Sequence, residues 1–252
     1  MVELVIAFLI VAHRGASADA PENTLPAFEL AWKQGADAIE GDFHLSKDGH
    51  IVCIHDSNTE KVSGKDLEVA KSTLAELQKL DVGSWKDKKF AGTRIPTLAQ
   101  VLATVPPKKK IFIEVKTGPE MVPPLKKALT ASTLTSDQIV VIAFDADFIT
   151  AWKKACPDCT ANLIISHNRK RWNLSPSADK TLALLKATGA DGLSSNTHRA
   201  VNKKFVERLH KAGYTHNVWT VNDAKTARRF IGYKTNSIST DHPGKLRKAL
   251  SK

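Results

Sequence analysis

The chain has 252 residues, 42% of them hydrophobic and 25% charged. That balance allows a large packed core, and with only three cysteines it excludes a small disulfide-stapled module. Lys and Arg number 37 against 26 Asp and Glu, a net charge of +11. The basic residues fall in scattered pairs and triples such as Lys108-Lys109-Lys110 and Arg169-Lys170-Arg171, the pattern of solvated outer helix faces rather than of one binding stripe.

The stretch Leu4 to Ala12 is apolar but far short of the ~20 residues that a membrane span requires. Glu3 is also out of keeping with the basic start of a signal peptide. A buried first strand ending at Ala12, in a cytoplasmic protein, is therefore expected, with His13-Arg14-Gly15 directly after it. A crossover helix follows. Pro21-Glu22-Asn23-Thr24 offers cap residues, Pro26 suits a first turn, and Gly35 can end the helix.

The next apolar run, Ala36 to Ile39, ends at Glu40-Gly41-Asp42, and the third, Ile51 to Ile54, ends at His55-Asp56. Only the segment around Ser46-Lys47-Asp48-Gly49 separates these two runs. A parallel crossover needs about a dozen residues, so this link is predicted to be a hairpin with Asp-Gly in the turn. Asn58 to Arg94 fits no strand–helix unit. It carries Leu74, Leu77 and Leu80 at helical spacing and then irregular sequence through Gly83, Trp85, Phe90 and Gly92. A small insertion subdomain (58–94) over part of the active-site mouth is expected.

The fourth run, Ile111 to Ile113, ends at Glu114-Val115-Lys116. Further strand candidates are Gln138 to Phe144, Ala161 to Ile165, Asp191 to Ser195, His216 to Val221 and Ser237 to Thr240. Helical patterns alternate with them at Val122 to Thr130, Phe148 to Ala155, Lys180 to Thr188, Val201 to Ala212 and Ala224 to Ile231. The nine strand candidates are one more than a (β/α)8 barrel holds, and the hairpin strand Ile51 to His55 is the surplus. The expected fold class is α/β: a single TIM (β/α)8 barrel domain (1–252) with a small insertion near the barrel mouth and an extra antiparallel hairpin strand.

Cys156-Pro157-Asp158-Cys159 has redox spacing, but it follows a helical stretch instead of a strand. Two thiols are also only half of a structural zinc site, so neither chemistry is expected there. Cys53 reads as a small core residue.

Apolar strands rarely end in ionisable groups without cause, and a parallel barrel builds catalysis by delivering such groups from one end. Glu40 and Asp42, two apart on one strand, face the same side, and with Glu114 they supply three hard oxygen donors. That set favours Mg²⁺ or Ca²⁺ over zinc; the bland alternative is that the acids simply pair with Arg14 and Lys116. His13 and His55 are the natural acid and base near neutral pH. Arg14 can grip a phosphate through two hydrogen bonds and Lys116 can place a point charge on it. Trp219 reads as a wall of the substrate pocket, and Asp56 either orients His55 or caps the following loop.

In these motifs the chain resembles the glycerophosphodiester phosphodiesterases, a TIM-barrel family. The matching segments are His13-Arg14-Gly15, Pro21-Glu22-Asn23-Thr24, Glu40-Gly41-Asp42, Lys47-Asp48-Gly49, His55-Asp56, Glu114-Val115-Lys116, Trp219-Thr220-Val221-Asn222 and Ser239-Thr240-Asp241-His242-Pro243. They span nearly the whole chain. The stretch from Asp81-Val82-Gly83-Ser84-Trp85 through Ile95-Pro96-Thr97-Leu98 looks like the family's insertion. The resemblance implies one divalent cation, Ca²⁺ or Mg²⁺, on Glu40, Asp42 and Glu114, an acid–base pair of His13 and His55, and phosphate contacts from Arg14 and Lys116. It also implies cleavage of a glycerophosphodiester, such as glycerophosphocholine, to an alcohol and glycerol 3-phosphate. One departure is Ala143-Phe144-Asp145, where the family often has Ser or Gln before Phe.

The expected partner is therefore a small-molecule glycerophosphodiester, with no nucleic acid and no stable membrane insertion. Two other readings start from the same residues. A lysophospholipase D would need an apolar trough in the insertion, to which Trp85 and Phe90 could contribute. A non-catalytic binder of nucleic acid or anionic surfaces would need a continuous basic stripe.

Overall fold

The computed structural model describes residues 8–167 and 176–251. The basic triple at Arg169-Lys170-Arg171 and the start of the Leu4 to Ala12 stretch lie outside the described residues. The strands are β1 (Leu9–Ala12), β2 (Ala38–Leu45), β3 (Ile51–Cys53), β4 (Lys110–Val115), β5 (Ile139–Ala143), β6 (Ala161–Ile165), β7 (Gly192–Asn196), β8 (Thr215–Trp219) and β9 (Ser237–Thr240). Eight of them pair in parallel in the order β1-β9-β8-β7-β6-β5-β4-β2, and β1 pairs with β2 to close the ring. β3 lies outside the ring, antiparallel to the end of β2, as the short Asp-Gly link requires. This is a TIM barrel with one added strand.

Two of the expected strands run further than their apolar cores. β2 continues through Glu40, Gly41 and Asp42 to Leu45, because β3 pairs with Phe43, His44 and Leu45 and extends the ladder past the ring. β4 likewise runs through Glu114, whose Cα is in register with that of Asp42. The carboxylates thus stand on rigid strand backbone and not on loops.

Inside the ring, Val11, Ala38, Phe112, Val140, Ile142 and Ile164 form a small apolar cluster below the mouth. A much larger cluster fills the space between the barrel and its helices, which include α1 (Leu25–Lys33). No helix among the described residues is long and apolar enough to cross a membrane.

The Pro21-Glu22-Asn23-Thr24 turn departs from its expected capping role. Thr24 is the N-cap of α1, but its hydroxyl donates to Pro21 O at 2.6 Å and caps no helical N–H. Asn23, in the left-handed region at φ 59°, turns its amide towards β2. Two glycines are required by close approach. A Cβ on Gly15 (φ +80°) would sit 2.6 Å from the Ala27 carbonyl carbon of α1. One on Gly41 would meet Phe28 at 3.1 Å and Cys53 Sγ at 3.2 Å. Gly41 lets α1 and β3 press on β2 while its neighbours Glu40 and Asp42 face inward.

Segment 58–94 holds short helices α2 (Glu60–Ser63) and α3 (Leu74–Leu77). Val62, Val69, Leu77, Leu80 and Val82 pack with Val52, Ile54 and Ile95 in a cluster separate from the barrel core. Asp81 organises its far end, accepting from the Gly83 and Gly92 N–H groups, both at 2.8 Å, and from the Ser84 hydroxyl at 2.7 Å. Lys61 reaches Glu22 at 3.1 Å and Lys86 donates to Ser17 O at 2.8 Å, which ties the segment to the β1–α1 loop. The expectation for Cys156 and Cys159 is corrected: they are joined in a disulfide just after α4 (Ala146–Ala155), two side chains that the turn brings together.

Candidate active site

Glu40 and Asp42 on β2 and Glu114 on β4 each offer a carboxylate oxygen, and these three oxygens all lie within 4.8 Å of one another. Glu40 and Asp42 are buried, so each charge must be met inside the protein. Asp42 is met most fully. Asn23 Nδ2 donates to its Oδ2 at 2.8 Å, Arg14 Nε lies 3.2 Å from the same oxygen, and Lys116 Nζ is 3.5 Å from Oδ1. Burial would raise its carboxyl, but Arg14, Lys116 and His55 outweigh that and hold it below the usual carboxylate range.

Glu114 receives Lys116 Nζ at 2.8 Å. Burial, then the charge of Asp42, still pushes Glu114 up against the pull of Lys116. Glu40 accepts the Arg14 backbone N–H at 2.9 Å through Oε2, whereas its Oε1 is buried with no hydrogen-bond partner. Burial, followed by the charge of Asp42, pushes this carboxyl up to about 8.

A buried, partnerless carboxylate oxygen beside two more carboxylates is a poor arrangement for a protein by itself and a good one for a hard cation. All three donors are oxygen, no sulfur or imidazole lies in the set, and a divalent ion would remove the mutual repulsion that raises Glu40 and Glu114. The residues present fit such a metal.

The two histidines flank the triad, and each is held by an aspartate. His13, directly after β1, places Nδ1 2.7 Å from Asp241 Oδ1. Asp241 is fixed in turn by Asn222 Nδ2 at 2.7 Å and the Ser17 hydroxyl at 3.1 Å. Burial would lower His13, but the Asp241 hydrogen bond and the nearby Glu40 charge leave it raised above 6.5. His55, in the loop after β3, places Nδ1 2.7 Å from Asp56 Oδ1, so Asp56 orients the imidazole. In both cases the Nδ1 contact leaves Nε2 for other partners.

Arg14 (φ 55°) spans Asp42 and Glu22, its NH1 donating to Glu22 Oε1 at 3.1 Å. Arg14 and Lys116 thus both stand beside the triad. Burial would lower Lys116, but Asp42 and Glu114 raise it, so it stays an ammonium.

His13, Arg14, His55 and Lys116 line a cavity of ≈ 180 Å³. Trp219, Phe144, Ile142 and Ile164 give it its apolar lining, and Ser194, Asn217 and Ser239 also border it. Trp219 and Phe144 meet edge to face with centroids 6.0 Å apart. Every residue expected at the site from sequence is therefore brought to it. Asp241, Glu22 and Asn23 fall in the matching motifs, but the sequence alone assigns them no role at the site. Asp241 had a usable signal, since it directly follows strand β9 as His13 follows β1; Glu22 and Asn23 look like capping residues until the fold turns them inward.

A closed parallel barrel whose mouth gathers three carboxylates, two aspartate-held imidazoles, a guanidinium and an ammonium belongs to the α/β-barrel hydrolases. Residues 13–245 match the Glycerophosphoryl diester phosphodiesterase family, and the chain is a member of it. A glycerophosphodiester phosphodiesterase of Caldanaerobacter subterraneus subsp. tengcongensis is 31% identical over 243 residues, covering 94% of this chain and 96% of its own. The Bacillus subtilis protein YhdW is 35% identical over 237 residues, covering 93% and 94%. Among solved structures, an Oleispira antarctica phosphodiesterase in complex with the product sn-glycerol-3-phosphate superposes with a TM-score of 0.86 at 26% identity, covering 97% of each chain. The chain is thus an enzyme, a phosphodiester hydrolase of this family.

Proposed function

We propose that this chain hydrolyses small glycerophosphodiesters, glycerophosphocholine among them, to an alcohol and sn-glycerol 3-phosphate, using one divalent cation, Ca²⁺ or Mg²⁺. The observation that carries the reading is the clustering of carboxylate oxygens of Glu40, Asp42 and Glu114 within 4.8 Å of one another, together with a Glu40 Oε1 that has no hydrogen-bond partner. The relative crystallised with sn-glycerol-3-phosphate supports the product. When bound, the cation would be held by those three carboxylates and would supply Lewis-acid neutralisation of the phosphate oxygens.

The protein's own groups do the rest. Lys116 and Arg14 hold the phosphate and stabilise the charge that builds on its oxygens. His13, kept in register by Asp241, takes a proton from the nucleophile through Nε2, and His55, oriented by Asp56, gives one to the departing alkoxide. Trp219 and Phe144 wall the glycerol moiety. Segment 58–94 acts as a small subdomain of the single barrel domain and shapes one side of the mouth. Ala143 is buried, so the hydroxyl or amide expected from the family is missing beneath the rim while the charged set stays complete. The cavity of ≈ 180 Å³ suits a short polyol and not an acyl chain, which disfavours a lysolipid substrate.

The test is release of glycerol 3-phosphate from glycerophosphocholine with Ca²⁺, with Mg²⁺ and with excess chelator. The reading requires turnover with at least one cation and its loss on chelation. Turnover indifferent to chelator would refute the metal assignment.

A further inference from the structure

The ≈ 180 Å³ cavity is not the only space at the catalytic groups. An open groove of ≈ 630 Å³ lies beside it, and the two share His55 and Lys116. The groove runs from those residues over Asp56, Ser57, Asn58, Glu60 and Lys61, where segment 58–94 meets the barrel. Its surface is polar. A diester held by Lys116 and Arg14 therefore has two directions in which to extend: into the narrower, mostly apolar cavity, or into the wider groove of polar residues past His55.

The charges in the groove are mostly spoken for. Lys116 faces Glu114 and Asp42, Lys61 is 3.1 Å from Glu22, and Asp56 is hydrogen-bonded to His55. Glu60, exposed at the first turn of α2, forms no ion pair among the described residues. Its carboxylate is the one charged group lining the groove with no side-chain partner among the described residues. The chain's overall +11 would favour anionic substrates at long range. Physiological salt screens that field over roughly 8 Å, so at contact the local carboxylate decides.

We infer that this groove is the leaving-group subsite, and that Glu60 makes it select glycerophosphodiesters whose alcohol carries a cationic ammonium over those with neutral alcohols. The inference rests on the phosphodiesterase reading above and adds the class of alcohol. It also fits His55, which borders both spaces, as the group that protonates the departing alkoxide. Glu60 is a specificity-determining residue and touches only the remote end of the alcohol.

The experiment compares kcat/KM for glycerophosphocholine and for glycerophosphoglycerol, with the activating cation in excess, in the parent enzyme and in Glu60→Gln and Glu60→Lys. The choline-to-glycerol ratio is expected to fall about threefold in Glu60→Gln, or ~0.65 kcal/mol at about 1.4 kcal/mol per decade, and further in Glu60→Lys. Glu68→Lys reverses a charge on the same segment outside the groove, where Glu68 pairs with Lys71, and should leave the ratio where it was. An unchanged ratio in both Glu60 variants overturns the inference, as does an equal shift in Glu68→Lys. A parent enzyme inactive on every glycerophosphodiester would instead overturn the functional reading itself.

Discussion

The two sides of the barrel interior are built on opposite rules. On the side of β1, β2 and β4, three carboxylates crowd together, Glu40 Oε1 has no partner, and Glu40 is pushed up to about 8 by burial and by Asp42. On the side of β7, β8 and β9 the buried polar groups are neutral, and apart from the Trp219 Nε1 at the rim the inward-facing ones satisfy one another: Asn217 Nδ2 donates to Ser194 Oγ at 2.8 Å and Ser237 Oγ donates to Asn217 Oδ1 at 2.7 Å. Ile142 and Ile164 continue that side without any polar atom to satisfy. One side is a settled core; the other is a frustrated one. Local inconsistency in an otherwise consistent fold marks the working part of the molecule.

The contrast predicts opposite mutational signatures. The largest effect is expected from Glu40→Gln, which removes a buried like charge from the triad. Turnover of glycerophosphocholine should fall on the order of 10³-fold, as loss of several kcal/mol of charge stabilisation implies. The thermal midpoint should hold or rise. A variant that melts earlier but keeps its turnover would reverse the contrast.

Next come His13→Ala and His55→Ala, each expected to lower kcat by about 10²–10⁴-fold, the usual share of a positioned acid or base. A steady-state assay that finds either variant as fast as the parent removes that histidine from the chemistry.

On the settled side, Trp219→Ala should raise KM on the order of tenfold and change kcat much less, since the ring walls the cavity away from the charged set. It should also cost stability, at about 1–3 kcal/mol for a partly buried aromatic, readable by urea denaturation. A loss confined to kcat would place Trp219 among the reacting groups instead.

The smallest effect concerns His216 on β8, which faces outward between barrel and helices. Its Nε2 meets the Ser195 hydroxyl at 2.9 Å and its Nδ1 the Thr235 hydroxyl at 2.8 Å. Burial, then His210 and His167, push it down to about 3. The fold thus keeps His216 neutral where the unfolded chain protonates it, near 6.5. Its contribution to stability is whole above pH 6.5 and is lost progressively as the pH falls towards 3. Between pH 6.5 and pH 5 the loss is about 1.6 kcal/mol from this group alone. His216→Gln cannot titrate, so its denaturation midpoint should fall less steeply across that interval. Equal slopes would show that His216 is not the acid-sensitive group.

Much of this was legible before any coordinates. Strand order, the hairpin at Asp48-Gly49 and the surplus strand follow from apolar runs and link lengths, because a short link forbids a parallel crossover. Glu40, Asp42, Glu114, His13 and His55 stood out because ionisable groups bordered apolar runs. What was hidden needed contacts far apart in the chain. Asn23 reads as a capping residue until β2 lies beside it, and the His13–Asp241 bond joins the first strand to the last. The lengths of β2 and β4 were hidden too, since polar residues look like strand ends unless a neighbouring strand is known to continue the ladder. The Cys156–Cys159 disulfide was hidden because a tight turn after a helix can pair two thiols without the strand context that marks a redox motif.

Titration calorimetry of Ca²⁺ and, separately, of Mg²⁺ into the purified chain asks most directly whether the three carboxylates share one ion. The account predicts a single site per chain for at least one of these cations, abolished in a Glu40→Gln, Glu114→Gln double variant that still unfolds cooperatively. Absence of binding by both ions, or unchanged affinity in the double variant, would contradict it.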